Sequence, residues 1–376
     1  MTNKPMPTGE YAVGTFTHTI CTDREELLAP GTKRNIPVRV YYPVLKESVE
    51  SLSKARYMSR EMAKALKKSM HAPINIDKAE AQGDNFSECY ENAPKIEGAK
   101  FPLITFSHGF GSYREANSFL CLELASHGYV VISVGHPYDA ALCEFDDGTN
   151  IPLYKEAMKR QYEPMLPGMF AMMKMLKTKG TDKELADKLE AVQNKYCTFI
   201  VSRLEEWEKD TLNVVDFAKA ELSGIIDFSK GIGATGHSLG GIISYLLCLD
   251  NDEFVCGANL DGASFGNHKG KILRKPFAQL SCKANLGVES RVRIDHTEPV
   301  FQAVFEKMQH IAFSDMKHLI PSKMIVGGLD PDLAHEYVCK IHLGLFDSYL
   351  KKTKDHPELK SCEMISIKEY QPDIQD

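Results

Sequence analysis

The sequence predicts an α/β fold with a mostly parallel, doubly wound sheet, and three observations carry this prediction. Short apolar segments alternate with segments of helical periodicity, as in successive βαβ units. Glycine or proline bounds most of these segments. The alternation stops at residues 140–200, which hold six of the 15 methionines. We therefore expect a single domain over residues 1–376, with a helical cap inserted at 140–200.

The composition argues against several classes of protein. Hydrophobic residues make up 43% of the chain and charged residues 26%, which is an ordinary globular balance. A net charge of −6 without a dense basic run does not favour nucleic-acid binding. The sequence has no run of about 18 apolar residues, so no membrane span is predicted. Residues 1–7 lack the apolar core of a signal peptide.

The ten cysteines include no Cys-x-x-Cys pair, so neither a zinc ribbon nor a redox pair is predicted. Many of them lie in apolar segments, as Cys121, Cys248 and Cys256 do. Cysteines in such positions are typical of buried thiols in a reducing compartment. We therefore expect a cytoplasmic protein, and the cysteine spacing predicts no metal site and no redox cofactor.

The first half of the chain predicts a βαβ unit. The predicted elements there are strands at 38–42, 102–107 and 129–134, and helices at 59–68 and 115–126. Gly128 follows the second helix, where a left-handed cap is expected. Pro43 ends the first strand, which indicates a position near a sheet edge.

The second half continues the pattern after the insertion. The predicted elements are strands at 230–236, 254–260, 276–282 and 309–313, and helices at 199–222, 241–249 and 335–350. The last helix is expected to close the chain. Within the insertion, Thr181 and Glu184 have the spacing of a capping box that opens a helix.

A Gly-x-Ser-x-Gly motif, Gly236-His-Ser-Leu-Gly240, lies between a predicted strand and a predicted helix. The five residues alone are a weak signal, but strand–turn–helix is the setting of a nucleophile elbow. Such an elbow holds its serine on a strained turn, at a helix N-terminus that favours a developing anion. We therefore predict an α/β-hydrolase fold with Ser238 as the nucleophile. The alternative is a glycine-rich turn without chemistry.

A serine hydroxyl needs a base to take its proton, and this fold orders the three residues as serine, acid, histidine. Asp261 directly follows the strand at 254–260 and is the predicted acid. Asp295 and Asp315 are the alternatives, although no strong apolar segment ends at either of them.

The base must be a histidine that follows the acid in the chain. The candidates considered by chain order are His268, His296, His310, His318, His335 and His342. We predict His318, because it follows the strand at 309–313 through a short loop. His310 falls inside that predicted strand, and both His335 and His342 fall in the final helix.

Acyl transfer also needs backbone N–H donors for the oxyanion. The residue after the nucleophile, Leu239, is expected to supply one of them. The second is expected from Phe110, in the loop that follows the strand at 102–107. His108 is expected to brace this loop.

These motifs resemble those of the platelet-activating-factor acetylhydrolase family. The matching segments are Tyr-Tyr-Pro at 41–43, Phe-Ser-His-Gly at 106–109 with Arg114, Ala-Ser-His-Gly-Tyr-Val-Val at 125–131, the serine motif, and Leu-Asp-Gly at 260–262. The loop at 315–318 matches less closely, and residues 140–200 do not match. The resemblance implies metal-independent serine esterase activity on short or oxidised acyl esters, in some members on phospholipids.

The sequence is compatible with three functions. The first is hydrolysis of a small-molecule or lipid ester. The second is a serine peptidase of the prolyl-oligopeptidase type, although no propeller repeats precede the hydrolase motifs. The third is an inactive hydrolase fold that serves as a binding module.

The insertion at 140–200 has two interpretations. In the first, it is a cap packed on the sheet, with methionine filling irregular gaps. In the second, it is an acyl-binding lid that makes weak interfacial contact with lipid. Lysines at 155, 159, 174 and 177 could then meet anionic headgroups.

Overall fold

An eleven-stranded sheet forms the centre of the protein. The computed structural model describes residues 4–70, 75–82, 85–320 and 322–372. The strands of the sheet are β1 Ala12–Ile20, β2 Ile36–Val44, β3 Lys54–Arg56, β4 Phe86–Glu91, β5 Leu103–Ser107, β6 Val130–Val134, β9 Ile232–His237, β10 Phe254–Leu260, β11 Phe277–Cys282, β12 Val300–Phe305 and β13 Ile365–Tyr370. Their order is β13-β12-β11-β10-β9-β5-β6-β2-β1-β4-β3.

Six neighbouring strands, from β12 to β6, are all parallel. Antiparallel strands flank them, with β13 beside β12 and β2 beside β6. The parallel strands are buried almost throughout, as expected when helices cover both faces of a sheet. The predicted α/β-hydrolase fold, with its mostly parallel sheet, is confirmed.

Helices cover the sheet on both faces. The helices are α1 Arg60–Met70, α2 Ile76–Ala81, α3 Ser118–Ser126, α4 Ala157–Arg160, α5 Met165–Leu176, α6 Asp182–Tyr196, α7 Thr198–Glu221, α8 Leu239–Asp250, α9 Met316–Leu319, α10 Lys323–Val326 and α11 Pro331–Tyr349. Helices α3 and α11 share one hydrophobic core with the sheet, and α7 and α8 share the other.

The order of the strands fixes where a site can form. From β5 the chain proceeds to β6 on one side, and later returns to place β9 on the other side. In open α/β sheets, ligands bind in the crevice outside the carboxyl ends of the strands at such a switch point. The loop after β5 and the turn after β9 lie at this crevice.

Three predictions about the elements are corrected by the structure. The strand β2 is not near an edge, because β1, β4 and β3 lie outside it. Pro43 is tolerated because the ladder with β6 covers only Val38 to Tyr41. Residues 309–313 are not a strand, since His310–Phe313 is a turn of 3₁₀-helix. The final helix does not close the chain, because β13 follows it.

Residues 140–200 contain a hairpin and three of the helices. The hairpin consists of β7 Leu142–Glu144 and β8 Asn150–Pro152, and the helices are α4, α5 and α6. The two longer helices bury a small core of their own, which includes Met172, Met175 and Leu189. The Thr181–Glu184 capping box is confirmed at the start of α6.

Eight of the ten cysteines are buried as free thiols. The cytoplasmic location predicted from the cysteine content stays a prediction. Over the ranges that the structure describes, no helix has the length and apolar character needed to cross a membrane.

Candidate active site

Ser238 lies at the tight turn between β9 and α8. Its backbone has φ 57° and ψ −120°, outside the conformations that ordinary residues prefer. The amide of Ser238 donates to the carbonyl of Leu260, at the end of the neighbouring strand β10 (2.8 Å). The turn therefore projects the Ser238 side chain into the crevice, as the elbow motif predicts.

Two glycines of the motif are required by close backbone approach. A Cβ at Gly240 would lie 2.1 Å from the carbonyl oxygen of Ser107, and a Cβ at Gly236 would lie 2.4 Å from the backbone of Gly240. No side chain fits at either position, so α8 can approach β5 and β9 closely enough to form the turn.

His310 connects Ser238 to Asp261 by hydrogen bonds. Its Nε2 is 2.9 Å from the Ser238 Oγ, and its Nδ1 is 2.6 Å from the Asp261 Oδ2. The Asp261 carboxyl is buried, whereas the His310 side chain is 45% exposed. A base that is oriented by an acid and in contact with a hydroxyl is the arrangement that activates a serine.

Asp261 follows β10 directly, as the sequence predicts. One carboxylate oxygen, Oδ1, accepts from the backbone N–H of Cys282 (2.6 Å). The other, Oδ2, accepts from the side-chain amide of Asn285 (2.7 Å) as well as from His310. These donors satisfy the buried charge and fix the direction in which it faces.

The structure does not bring His318 to Ser238, and the predicted position of the base is corrected to His310. His318 lies in α9, where its ring packs edge-on against Phe119 and His335. Burial lowers the pKa of His318 to about 3. This histidine is therefore an uncharged part of the packing beside α3.

The segment that carries His310 is attached to the beginning of α3. The Asp315 carboxylate accepts from the Ser118 hydroxyl (2.8 Å) and lies 3.3 Å from the amide nitrogen of Phe119. The Asn117 side chain donates to the carbonyl of Phe313 (2.6 Å). Asp315, an alternative acid in the sequence, thus caps a helix, while Asp295 pairs with Arg291.

The mistaken base has an identifiable cause. The strand that precedes the histidine loop is β12, Val300–Phe305, which was not predicted. His310 lies five residues beyond its end, in the loop at the carboxyl edge of the sheet. The apolar run at 300–305 was the signal that could have placed the loop correctly.

His237, the variable residue of the serine motif, is a further part of the site. Its ring is buried, and its Nε2 donates to the backbone carbonyl of His310 (3.0 Å). Burial lowers its pKa well below the usual value, so the ring is neutral. Together with Asn285, His237 is a supporting residue that the sequence analysis missed, since neither belongs to a general motif.

The predicted oxyanion donors lie beside Ser238. Leu239 is the first residue of α8, so its N–H has no partner within the helix. Phe110 follows Gly109, at which a Cβ would lie 3.1 Å from the Ser238 Cβ. Among the residues that the structure describes, neither amide donates to a protein acceptor. Two free N–H groups next to a serine can bind an oxyanion.

Buried polar residues hold the Phe110 loop from behind. The Gly111 amide donates to the carbonyl of Asp139 (2.7 Å). The Asp139 carboxylate accepts from the indole N–H of Trp207 (2.8 Å) and pairs with Arg203. His108 is buried against Trp207 and accepts from the amide of His136 (3.2 Å). His108 thus braces the loop, as expected.

A cavity of about 290 Å³ opens beside Ser238. Its lining is largely apolar and includes Phe110, Met172, Leu176, Ile200, Leu239 and Phe265. Two of these side chains, Met172 and Leu176, come from α5 of the insertion. A larger, more open groove of about 1090 Å³ lies between β1 and α7, and it is lined by neither Ser238 nor His310 nor Asp261. Of these two spaces, the smaller cavity is the one that joins apolar walls to a reactive group.

Comparisons with known proteins identify the family and the fold. The family model described as "Platelet-activating factor acetylhydrolase, isoform II" matches residues 1–271. A platelet-activating factor acetylhydrolase from Cavia porcellus is 24% identical over 96% of this chain and 81% of its own. Another, from Canis lupus familiaris, is 27% identical over 68% of this chain and 54% of its own.

A ferulic acid esterase from Streptomyces cinnamoneus has a similar fold. Its structure superposes with a TM-score of 0.73 and covers 96% of this chain and 98% of its own. The sequence identity is 19%, so this likeness concerns the fold alone.

Proposed function

Because this chain belongs to the family of platelet-activating factor acetylhydrolase, isoform II, we propose that it hydrolyses carboxylic esters with Ser238, His310 and Asp261 as a catalytic triad. The observation that carries the proposal is the continuous hydrogen-bond path from the Ser238 hydroxyl through His310 to Asp261. The family membership agrees with the resemblance seen in the motifs and supports the reaction class.

The proposed reaction follows the serine hydrolase scheme. His310 takes the Ser238 proton at Nε2, while Asp261 holds Nδ1–H and stabilises the imidazolium. The Ser238 oxygen attacks the ester carbonyl, and the N–H groups of Phe110 and Leu239 bind the oxyanion. His310 then protonates the leaving alcohol. Water repeats the sequence on the acyl-enzyme and releases the acid.

The cavity supports esters with a short acyl group or with a lipid-like alcohol portion. Its volume of about 290 Å³ is at the lower end of the range for ligand pockets. Its apolar walls favour an acyl chain over a charged or peptide-like group. We expect the specificity constant to be highest for acetyl to butyryl esters.

The test of the function is a panel of p-nitrophenyl esters from acetate to palmitate, run beside a phospholipid with an acetyl group at the sn-2 position. Ser238→Ala should lower turnover by about 10⁴-fold or more. A variant that retains near-wild-type activity would contradict the assignment. Labelling of Ser238 by a fluorophosphonate distinguishes an active enzyme from an inactive hydrolase fold, and a proline-containing peptide tests the peptidase alternative.

The α5 helix also carries an exposed apolar surface, formed by Met165, Leu166, Met169, Phe170 and Met173. The side chains of Leu166 and Phe170 are 61% and 65% exposed. The same helix lines the cavity with Met172 and Leu176, so the exposed surface and the wall of the cavity belong to one helix. Apolar patches of this kind mark interaction sites.

We propose that this α5 surface contacts lipid aggregates during hydrolysis. The exposed lysines of the region, Lys155, Lys159, Lys174 and Lys177, favour anionic headgroups. An apolar helix face beside basic residues is typical of helices that lie in a lipid interface. Lipid esters could then pass from the interface to the cavity along α5.

The experiment compares two double variants that remove similar exposed apolar side chains. Leu166→Ser with Phe170→Ser alters the α5 surface, and Met324→Ser with Ile325→Ser alters exposed residues of α10. Only the first should weaken binding to phosphatidylcholine vesicles containing phosphatidylserine, by about tenfold or more. Both should hydrolyse p-nitrophenyl acetate like the wild type. Equal vesicle binding by the two variants would contradict interfacial contact, and a change in oligomeric state would identify a second copy as the partner.

A further inference from the structure

A second carboxyl group, that of Glu289, lies buried behind Asp261. Its side chain has no exposed surface. The residue lies between two turns of 3₁₀-helix, Lys283–Val288 and Ser290–Arg293, which follow β11. No part of the proposed reaction uses this group, and a carboxyl group that lies so deep needs partners for both of its oxygens.

The hydrogen bonds around Ser281 identify the partner of one Glu289 oxygen, Oε2. The side-chain amide of Gln302 donates to the Ser281 hydroxyl oxygen (2.7 Å). The hydroxyl has one proton to donate, and Glu289 Oε2 is the acceptor that it faces among the described residues. The Oε2 therefore accepts from Ser281, which leaves Oε1 as the oxygen whose partner must be found.

The other oxygen, Oε1, is buried and receives no hydrogen bond from any residue that the structure describes. The Asp261 carboxyl lies beside it: Glu289 accepts from the Ser281 hydroxyl and Asp261 accepts from the amide of the next residue, Cys282. The two carboxyl groups are within hydrogen-bonding reach of each other. Two ionised carboxylates in contact repel each other and offer only acceptors, so such a pair shares a proton.

The charges around Glu289 decide which carboxyl keeps the proton. Asp261 accepts from Cys282, Asn285 and His310, which together favour its ionised form. Burial and the Asp261 charge raise the pKa of Glu289 well above its usual value. Arg293 acts in the opposite direction, but its guanidinium bonds to Asp182 and Gln302. The remaining titratable neighbour, the Cys282 thiol, is neutral because burial raises its pKa.

We propose that Glu289 is protonated in the active enzyme and donates a hydrogen bond from Oε1 to Asp261. It is a positioning residue, since it acts on the reaction only through Asp261. This inference rests on the proposed triad and places a hydrogen-bond donor behind its acid.

A neutral Glu289 that donates to Asp261 has a consequence for His310. It fixes the direction of the Asp261 carboxylate without placing a second negative charge near the imidazole. An ionised Glu289 would stabilise the imidazolium further and raise the pH at which His310 loses its proton. The acid limb of the pH profile therefore reports the protonation state of Glu289.

The first experiment uses Glu289→Gln, which can accept from Ser281 with its oxygen and donate to Asp261 with its nitrogen. For kcat/KM on p-nitrophenyl acetate, we expect a value within about threefold of the wild type and an unchanged acid-limb midpoint, because no charge is removed. A midpoint lower by about one pH unit would show that a negative charge has been lost, and would overturn the proposal.

The second experiment uses Glu289→Leu, which fills a similar volume and cannot donate. Its kcat should fall by about tenfold or more with little change in KM, because Asp261 loses one of the bonds that orient it. Wild-type kcat in this variant would overturn the positioning role. Circular dichroism checks the fold, and if the leucine variant does not fold, the pH profile of the glutamine variant decides.

An infrared measurement gives a readout independent of turnover. The difference spectrum between the wild type and Glu289→Gln at neutral pH should contain the carbonyl band of a protonated carboxyl group. Absence of this band from the difference spectrum would overturn the proposal. Failure of the triad itself is distinguishable, since it appears as activity retained in His310→Asn whatever Glu289 does.

Discussion

The backbone conformation of Ser238 depends on several neighbouring residues. The residue adopts φ 57° because β9, α8 and the end of β10 hold it there together. Such conformations cost of order 1–3 kcal/mol and persist only where the surroundings enforce them. Gly236 and Gly240 make this conformation possible, because without side chains they allow β9 and α8 to meet at the turn.

Gly240→Ala should therefore disrupt both stability and activity. The new Cβ would lie 2.1 Å from the Ser107 carbonyl oxygen, which is backbone and cannot move away cheaply. We expect a loss of about 3 kcal/mol in the free energy of unfolding, measured by urea titration. Gly224→Ala is the matched control, because a Cβ there meets no atom within 4 Å. Similar stability of the two variants would contradict this account of the elbow.

The matched variants His310→Asn and His318→Asn separate the two candidate bases. The first should lower kcat/KM by about 10³-fold or more, since the proton acceptor is lost. The second should change kcat/KM by less than about tenfold and act mainly on stability, because His318 packs against Phe119. Ester hydrolysis and thermal unfolding are measured on both. The reverse order of the activities would restore His318 as the base.

Of the three residues that the structure joins in one hydrogen-bond path, two were predicted from the sequence, for physical reasons that also explain why the third was not. Ser238 lies in a motif whose spacing reflects a strained turn, and Asp261 ends a strongly apolar strand. The loop that carries His310 has neither kind of marker. Its 3₁₀-turn contains apolar residues, such as Phe313, that pack inward as those of a strand would.

At the scale of elements, buried strands and long helices were the easiest to predict. The strand Phe254–Leu260 has the predicted limits, and α7 and α11 differ from prediction by a few residues. The strand β12 was missed although five of its six residues are buried, and a strand was predicted at 309–313 in its place. The strand β13 was missed because its residues alternate and only Ile365 is fully buried.

Thr181→Ala tests the helix cap of the insertion. The Thr181 hydroxyl accepts from the Glu184 amide, and the Glu184 carboxylate accepts from the Thr181 amide. We expect a loss of about 1 kcal/mol in the free energy of unfolding of the unit that contains α6. Thr178→Ala removes a hydroxyl bonded to a carbonyl of α5 and is the control. Equal stability of the two variants would show that the cap does not stabilise α6.

At the scale of the whole molecule, several histidines are held neutral by burial between the sheet and its helices. The pKa of His342, which bonds Thr235 of β9 from α11, is lowered to about 4, and that of His108 to about 3. A folded-state pKa below the unfolded value stabilises the protein above about pH 6.5, and this contribution is lost as the pH falls toward 4.

His342→Gln isolates one such contribution. At pH 7.5 the variant should be less stable than the wild type, because the imidazole's hydrogen bonds to the Thr235 hydroxyl and to the Val338 carbonyl are lost. The difference should shrink by about 3 kcal/mol between pH 7 and pH 4, since only the wild type must keep a histidine uncharged in the folded state. Urea titrations at several pH values measure the difference. A constant difference would contradict burial as the cause.

The attachment of the histidine segment to α3 has a consequence for how the enzyme loses activity. Asp315 and Asn117 tie the segment carrying His310 to the same helix end that the Phe110 loop precedes. We therefore expect His310 and Phe110 to belong to one cooperative unit that opens as a whole. When a substitution or a change of conditions alters the rate of heat inactivation, the rate of hydrogen exchange at the Phe119 amide should therefore change in the same direction. The enzyme should pass from fully active to inactive without a partly active, locally loosened state.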